Sequence, residues 1–402
     1  MKRYAMSVSR WWIVVLVISI NIIPSRVLQA QIPYTVPLVW NENQIAIVIE
    51  GQIQILDATT GELIHQLNNA WGDISATAWS PDSRFLAVAG ATGKVDIWDM
   101  ELSDWIQSLQ LEYPASVLIW AQTNNQIVTI GGDVAENLNV WDVSTGMRTA
   151  SQRGGAALNA EYDPTGHYLA LHTSLSLYVL DATTFTVLLA SPYAECCDNQ
   201  LSTLSWKPDG TRIVTGSING LITVWDATTL SPLNQFAANP YYVQDSRDVP
   251  DLSLSWVRDV AFGADGTIQA VSGDGTLRLW ATNGELIAEA QTGILETAAW
   301  SPYGARLAVQ RSQNVSRAAN GEALTSSDAI MQIITPFASP ERLQAIAEQC
   351  GAPLTVNRQL DSAIDAADMT SLIAQVESLP TETIPPACAA DLIAVAEAIQ
   401  AQ

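Results

Sequence analysis

Residues 201–229, LSTLSWKPDGTRIVTGSINGLITVWDATT, decide the fold. Apolar residues alternate with Ser and Thr in LSTLSW, RIVTGS and LITVWD, the period-two signature of half-buried strands. Between the first two lies Lys207-Pro208-Asp209-Gly210, where proline fixes one φ and glycine tolerates a positive one, as a tight reversal requires. Asn219-Gly220 supplies the second reversal, and Asp226-Ala227-Thr228-Thr229 opens a third. The stretch predicts three consecutive antiparallel strands, the first closed by an aromatic residue and the third by a Trp-Asp pair.

Working outward, the closing aromatic recurs at Trp40, Trp79, Trp120, Tyr162, Trp206, Phe262 and Trp300, with spacings of 39, 41, 42, 44, 56 and 38 residues. A period of about 40–45 residues marks a propeller blade. Turn formers follow the aromatic at Ser80-Pro81-Asp82-Ser83, Asp163-Pro164-Thr165-Gly166, Ala264-Asp265-Gly266 and Ser301-Pro302-Tyr303-Gly304. The second signature recurs as Ile55-Leu56-Asp57, Ile97-Trp98-Asp99, Val140-Trp141-Asp142, Val179-Leu180-Asp181 and Leu279-Trp280-Ala281. Through these copies residues 35–335 resemble the WD-repeat family, with its Trp-Asp pair and its Trp-Ser-Pro-Asp-Gly turn. The expectation is an all-β seven-bladed β-propeller over residues 31–336, with Trp79, Trp98, Trp141, Trp206, Trp225, Trp280 and Trp300 as structural repeat residues. The chain departs from the family in lacking its Gly-His pair, so blade stability must rest on stacked apolar strands and tryptophans. The seventh repeat shows no recognisable outer strand.

From Ser339 the apolar period becomes helical. Ser339-Pro340 reads as an N-cap and first helical position, Leu343, Ile346, Ala347 and Cys350 share a face, and Gly351 ends the helix. Met369, Leu372, Ile373 and Val376, then Cys388, Leu392, Val395 and Ile399, fit two further helices. A shorter segment around Leu360 and Ile364 reads as another, with Asp368 capping the helix after it. Residues 337–402 are therefore expected to form a small all-α C-terminal domain whose thin core benefits from a disulfide between Cys350 and Cys388.

Lys2, Arg3 and Arg10 precede the apolar run Trp11–Ile23, and Ala30 follows at a plausible cleavage point. Residues 1–30 read as a signal peptide, which places the mature chain in a secreted or extracytoplasmic space with no stable membrane span. The alternative is anchoring by an uncleaved signal, since Leu28 and Arg26 do not suit a cleavage site. The formal net charge is −23. A surface this acidic repels phosphate backbones and disfavours nucleic acid.

No concentrated chemistry emerges. His65, His167 and His172 lack metal-ligand spacing, and Asp57, Asp99, Asp142, Asp181 and Asp226 recur by repeat symmetry, so they are turn formers. Cys196-Cys197 reads as a structural or oxidised loop pair. No glycine-rich nucleotide loop, haem attachment or nucleophile elbow occurs, and no cofactor is expected. The expected function is a non-enzymatic extracytoplasmic protein-binding scaffold. A propeller enzyme or small-ligand sensor with a site at the central channel is the alternative. Long connections at 191–200, 237–255 and 311–328 are expected on one propeller face, with Tyr241, Tyr242, Asp245, Arg247, Asp248 and Trp256 as the partner-binding residues.

Overall fold

A computed structural model describes residues 38–49, 51–67, 73–122, 125–131, 137–153, 157–191, 200–238, 256–291, 295–311, 331–366, 369–380 and 383–401. The strands form seven separate antiparallel sheets in chain order. Blades 1–6 have four strands each and blade 7 has three among the described residues, in line with the missing outer-strand signal. The inner strands are Leu38–Trp40, Ile74–Trp79, Val117–Trp120, Asn159–Tyr162, Leu201–Trp206, Val257–Phe262 and Leu295–Trp300. Each runs from one face of the propeller to the other and ends on its aromatic residue.

The turns after the aromatics take the backbone expected of them: Gly166, Gly210, Gly266 and Gly304 lie at φ 72°, 70°, 77° and 70°. Ser83 occupies the same place at φ 62° without a glycine's freedom. At the corner between third and fourth strands, Asp57, Asp99, Asp142, Asp181 and Asp226 accept backbone N–H bonds from residues two or three ahead. Repeated aspartates thus close corners, as side-chain mimics of a backbone turn.

Consecutive blades pack through apolar clusters. Ile53, Ile55 and Leu67 of blade 1 meet Ile74, Leu86 and Val88 of blade 2, and Val271 and Leu277 of blade 6 meet Trp300, Leu307 and Val309 of blade 7. The ring closes in the same way, with Ala308 of blade 7 against Leu38, Ile45, Ile47, Leu56 and Ala58 of blade 1. The inner-strand tryptophans add a stitch. Trp79, Trp120 and Trp206 donate their indole N–H to the carbonyls of Val39, Ala78 and Glu161, at 3.3, 3.0 and 3.1 Å. Val39 and Ala78 lie on the preceding blade, one residue before its own aromatic, and Glu161 does the same before Tyr162. Gly216 is a further point of close approach, because a Cβ there would stand 2.5 Å from Val257 Cγ1 of the next blade.

The C-terminal residues form helices α1 (Pro340–Gln349), α2 (Leu354–Ala366), α3 (Thr370–Glu377) and α4 (Pro386–Gln400). Ser339 caps α1 by accepting the Arg342 N–H at 3.2 Å, and Gly351 ends it at φ 64°. The cap of α3 is Met369, with no side-chain bond, one residue after the expected Asp368, which lies outside the described residues. The helices share a core of Leu343, Ile346, Val356, Leu360, Leu372, Val376, Leu392 and Val395, and this core continues onto Ala264, Tyr303 and Ala305 in the first turns of blades 6 and 7. The break between α2 and α3 returns Cys388 to Cys350, with Cα atoms 6.2 Å apart and the sulfurs joined. Among the described residues no helix is long and apolar enough to cross a membrane.

Buried polar groups hold the helices to the propeller. Asp391 on α4, fully buried, pairs with Arg306 of blade 7 at 2.5 Å and accepts the Ser301 hydroxyl at 2.7 Å. Arg306 also donates to the Ala58 carbonyl of blade 1 at 2.5 Å. Burial pushes the Asp391 carboxyl up, and the Arg306 guanidinium opposes that push. Arg342 on α1 donates to Gln269 of blade 6 at 2.7 Å and to the Gly304 carbonyl. The Ala387 N–H at the start of α4 reaches the Glu42 carboxylate of blade 1 at 3.2 Å. The helices therefore bind the faces of blades 6, 7 and 1 on which the first turns lie.

Candidate functional site: the channel mouth opposite the helices

The inner strands begin on the face away from the helices. In four blades their pairing slips near the start, between Ile74 and Ala76, Leu201 and Thr203, Val257 and Asp259, and Leu295 and Thr297. Each slip is a bulge, which re-aims the extra residue, and bulges concentrate where a strand must present a side chain. The extra residues include Ser75, Ser202 and Arg258. Ser75 and Ser202 donate to the carbonyls of Ala89 and Val257 at 3.3 and 2.7 Å. Ser116, at the same level of blade 3, reaches Ile130 and Ala157, both at 3.1 Å.

These residues surround a cavity of about 280 Å³ on the propeller axis, with walls from all seven inner strands. Leu38, Val117, Leu118 and Ala298 supply apolar wall, and Thr77, Asn159, Thr203, Thr297 and Asp259 supply polar groups. Arg258 also lines it, with its guanidinium 4.3 Å above the Trp256 ring. Asp259 accepts from the Thr203 hydroxyl at 3.2 Å and from the Val260 N–H at 2.9 Å. Loss of water pushes its carboxyl up to about 7. Glu161, two residues deeper than Asn159 along its strand, is pushed up to about 8, first by desolvation and then by the charge of Asp259. No ion pair reaches either carboxyl among the described residues.

Of the residues expected to bind a partner, Tyr241, Tyr242, Asp245, Arg247 and Asp248 lie outside the described residues. Trp256 is corrected: it is only 6% exposed and forms channel wall beneath Arg258, so it is not a surface anchor. Cys196 and Cys197 also lie outside. His172 is fully buried, which pushes its ring down to about 4, and its Nδ1 lies 3.0 Å from the Thr173 carbonyl. His167 sits in the turn before its strand, against the Thr165 hydroxyl at 2.8 Å. Trp141 and Trp225 bond to Thr129 and Thr215 at 3.0 and 2.9 Å, and Trp98 packs edge-on to Trp105. Among the described residues no three His, Cys, Asp or Glu side chains converge as a metal site would require. The sequence reading missed Asp259 and Glu161. A signal existed: VRDVAF and NAEY carry charges where inner strands such as ISATAW and LSTLSW carry none.

Comparisons with known proteins agree with this architecture. Residues 40–188 match the model for eukaryotic translation initiation factor eIF2A, and residues 192–226 and 252–281 match the WD domain, G-beta repeat. The guanine nucleotide-binding protein subunit beta of Nicotiana plumbaginifolia is 22% identical over 65% of this chain and 72% of its own length. The cell division cycle 20.1 protein of Arabidopsis thaliana, a cofactor of the APC complex, is 30% identical over 22% of this chain and 20% of its own length. Meiotic fizzy-related protein 2 of Schizosaccharomyces pombe is 20% identical over 49% and 31%. The chain thus spans a third or less of these two relatives. A chain in the crystal structure of the mitotic checkpoint complex superposes with a TM-score of 0.57 at 18% identity, over 69% of this chain and 84% of that one. The seven registered blades, the repeat motif and these matches together support a β-propeller of the WD-repeat type.

Proposed function

We propose that the protein is an extracytoplasmic, non-enzymatic scaffold that holds a protein partner on the propeller face opposite its helices. The observation that carries this reading is the asymmetry of the two faces. Helices α1 and α4 bond to the first turns of blades 7 and 1 and to Gln269 in the second strand of blade 6. On the other face, Ser191 and Gln200, Ala238 and Trp256, and Arg311 and Met331 are the described ends of the three longest connections between strands. Strand direction brings all these ends to the face on which the inner strands begin, around blades 4 to 7. Long connections on a rigid ring are where recognition residues concentrate. The segment between Ala238 and Trp256 carries Tyr241, Tyr242, Asp245, Arg247 and Asp248, a mixture of aromatic and charged residues suited to an interface. The export reading rests on the basic, then apolar, start of the chain, and N-terminal sequencing of the native protein tests it: an intact Met1 in a membrane fraction would mean anchoring instead.

Replacing Tyr241 and Tyr242 together by Ala tests the scaffold reading. The expected result is weaker capture of the native partner with an unchanged melting temperature. Equal capture would remove this segment from the interface.

A further inference from the structure

Blade 7 is joined to its neighbours differently from the blades across the ring. Trp79, Trp120 and Trp206 each stitch a blade to the one before it, while blades 4 and 6 end their inner strands on Tyr162 and Phe262 and have no indole to offer. Trp300 on blade 7 and Trp40 on blade 1 hold the same repeat position, yet their indole N–H groups are buried with no hydrogen-bond partner among the described residues. Both junctions of blade 7 thus lack the stitch, and each has a knot that includes a helix. Gln269 of blade 6 donates to the Gly304 carbonyl of blade 7 at 3.0 Å, and Arg342 of α1 donates to both, reaching the Gln269 side-chain oxygen at 2.7 Å and the Gly304 carbonyl. On the other side, Arg306 of blade 7 donates to the Ala58 carbonyl of blade 1 and to Asp391 of α4, both at 2.5 Å, and lies 5.0 Å above the Trp40 ring. The Ala387 N–H of α4 adds its bond to Glu42 of blade 1. The disulfide from Cys350, at the end of α1, to Cys388 in α4 joins the two helices that carry the knots.

We propose that the helices are a strap across blade 7 that holds the ring shut, with Arg342 tying the α1 end to blades 6 and 7 and Asp391 tying the α4 end to blades 7 and 1. The proposal goes beyond the scaffold reading and does not rest on it. An appendage needs contacts of its own, whereas here the residues that bind the helices are the ones that join the blades. Arg306 holds the Ala58 carbonyl as a buried cation because Asp391 neutralises it. Without that carboxylate the guanidinium is buried and uncompensated, and its bond to blade 1 weakens with the loss. Gln269 is held likewise: by donating to its oxygen, Arg342 fixes the orientation in which the amide N–H reaches Gly304. Leu38 on one side of the seam between blades 1 and 7, and Ala298 and Ala299 on the other, are wall residues of the axial cavity. A strap that closes this seam therefore also fixes the cavity wall.

Amide hydrogen exchange of the full chain, read by mass spectrometry, tests the strap. Asp391→Asn removes the charge and keeps the size. Exchange is expected to rise about tenfold or more in α4 and in the seam strands Leu38–Trp40, Gln44–Ile49, Leu295–Trp300 and Leu307–Arg311. Ile74–Trp79 and Val117–Trp120, which flank a stitched junction, are expected to stay unchanged. A rise confined to the helices would make them an appendage, and an equal rise in every blade would make the effect a general loss of stability; either result overturns the proposal. The wild-type chain supplies a second measurement that does not depend on the variant folding. In low urea the seam strands and α4 are expected to open in one step, with the same urea dependence, before blades 2 and 3 open. Seam strands that open while α4 stays protected, or that stay as protected as blade 2 once α4 has opened, would overturn it as well.

Discussion

The two faces of this propeller treat their inward-facing aspartates differently. On the helix-covered face Asp391 has Arg306 and Ser301 as partners, and Arg342 has Gln269 and the Gly304 carbonyl. On the other face Asp259, on the channel wall, accepts from the Thr203 hydroxyl and the Val260 N–H, with no ion pair among the described residues. A carboxylate paired inside the fold secures it, whereas a carboxyl without a cation on a channel wall costs stability in its ionised form. Substitutions on the covered face should therefore lower stability and spare binding, and those on the open face should do the reverse.

The sharpest break of that comparison is Arg306→Ala. It leaves Asp391 buried without its cation and should cost about 3–5 kcal/mol in denaturant unfolding. A combined Arg306→Met, Asp391→Leu variant should recover much of this, because neither charge then remains. Close behind is Cys350→Ser. A bridge spanning 38 residues contributes roughly 4 kcal/mol by chain entropy. Non-reducing peptide mapping checks the premise, since free thiols at Cys350 and Cys388 in oxidised protein would contradict it. Gly216→Ala, at the junction of blades 5 and 6, should cost about 1–3 kcal/mol through overpacking against Val257.

The open face makes a prediction about pH. The folded-state carboxyls of Asp259 and Glu161 titrate near 7 and 8, above their ordinary values of 3.8 and 4.5. Their contribution to stability is complete below the ordinary values and is lost as pH rises through the raised ones. The melting temperature should fall between pH 5 and pH 8 by scanning calorimetry, and the fall should shrink in Asp259→Asn with Glu161→Gln (about the range set by those shifts). His172, held down near 4 by burial, acts oppositely: its contribution is present above 6.5 and is lost as pH falls through about 4. The smallest effect belongs to Ser83→Gly, which relieves a positive φ of 62° and should stabilise by up to about 1 kcal/mol.

The blades were legible because each repeats the same local instructions. In LSTLSW-KPDGT-RIVTGS the strand period, the proline and the positive-φ glycine agree, and the structure places strands at Leu201–Trp206 and Arg212–Ser217 around that turn. The helical faces were legible for the same reason, as the Ser339 cap and the Gly351 stop illustrate. The docking of the helices was not, because Arg306 meets Asp391 across 85 residues of chain and no local pattern encodes such a partner. Ring closure by a blade 7 with three strands among the described residues was equally hidden. It depends on Ala308 packing against Leu38 and Ile45, contacts between opposite ends of the propeller sequence. The channel acids escaped because they sit within strands that otherwise read as ordinary repeat, and only their departure from the other inner strands betrays them.

The central claim is that partners bind the face opposite the helices. A photo-crosslinking residue placed at Tyr242, on the connection between blades 5 and 6, or at Asp209, in a first turn of the opposite face, tests it in the native partner complex. The account predicts a crosslinked partner from position 242 and none from position 209. Crosslinks from position 209 alone would contradict it.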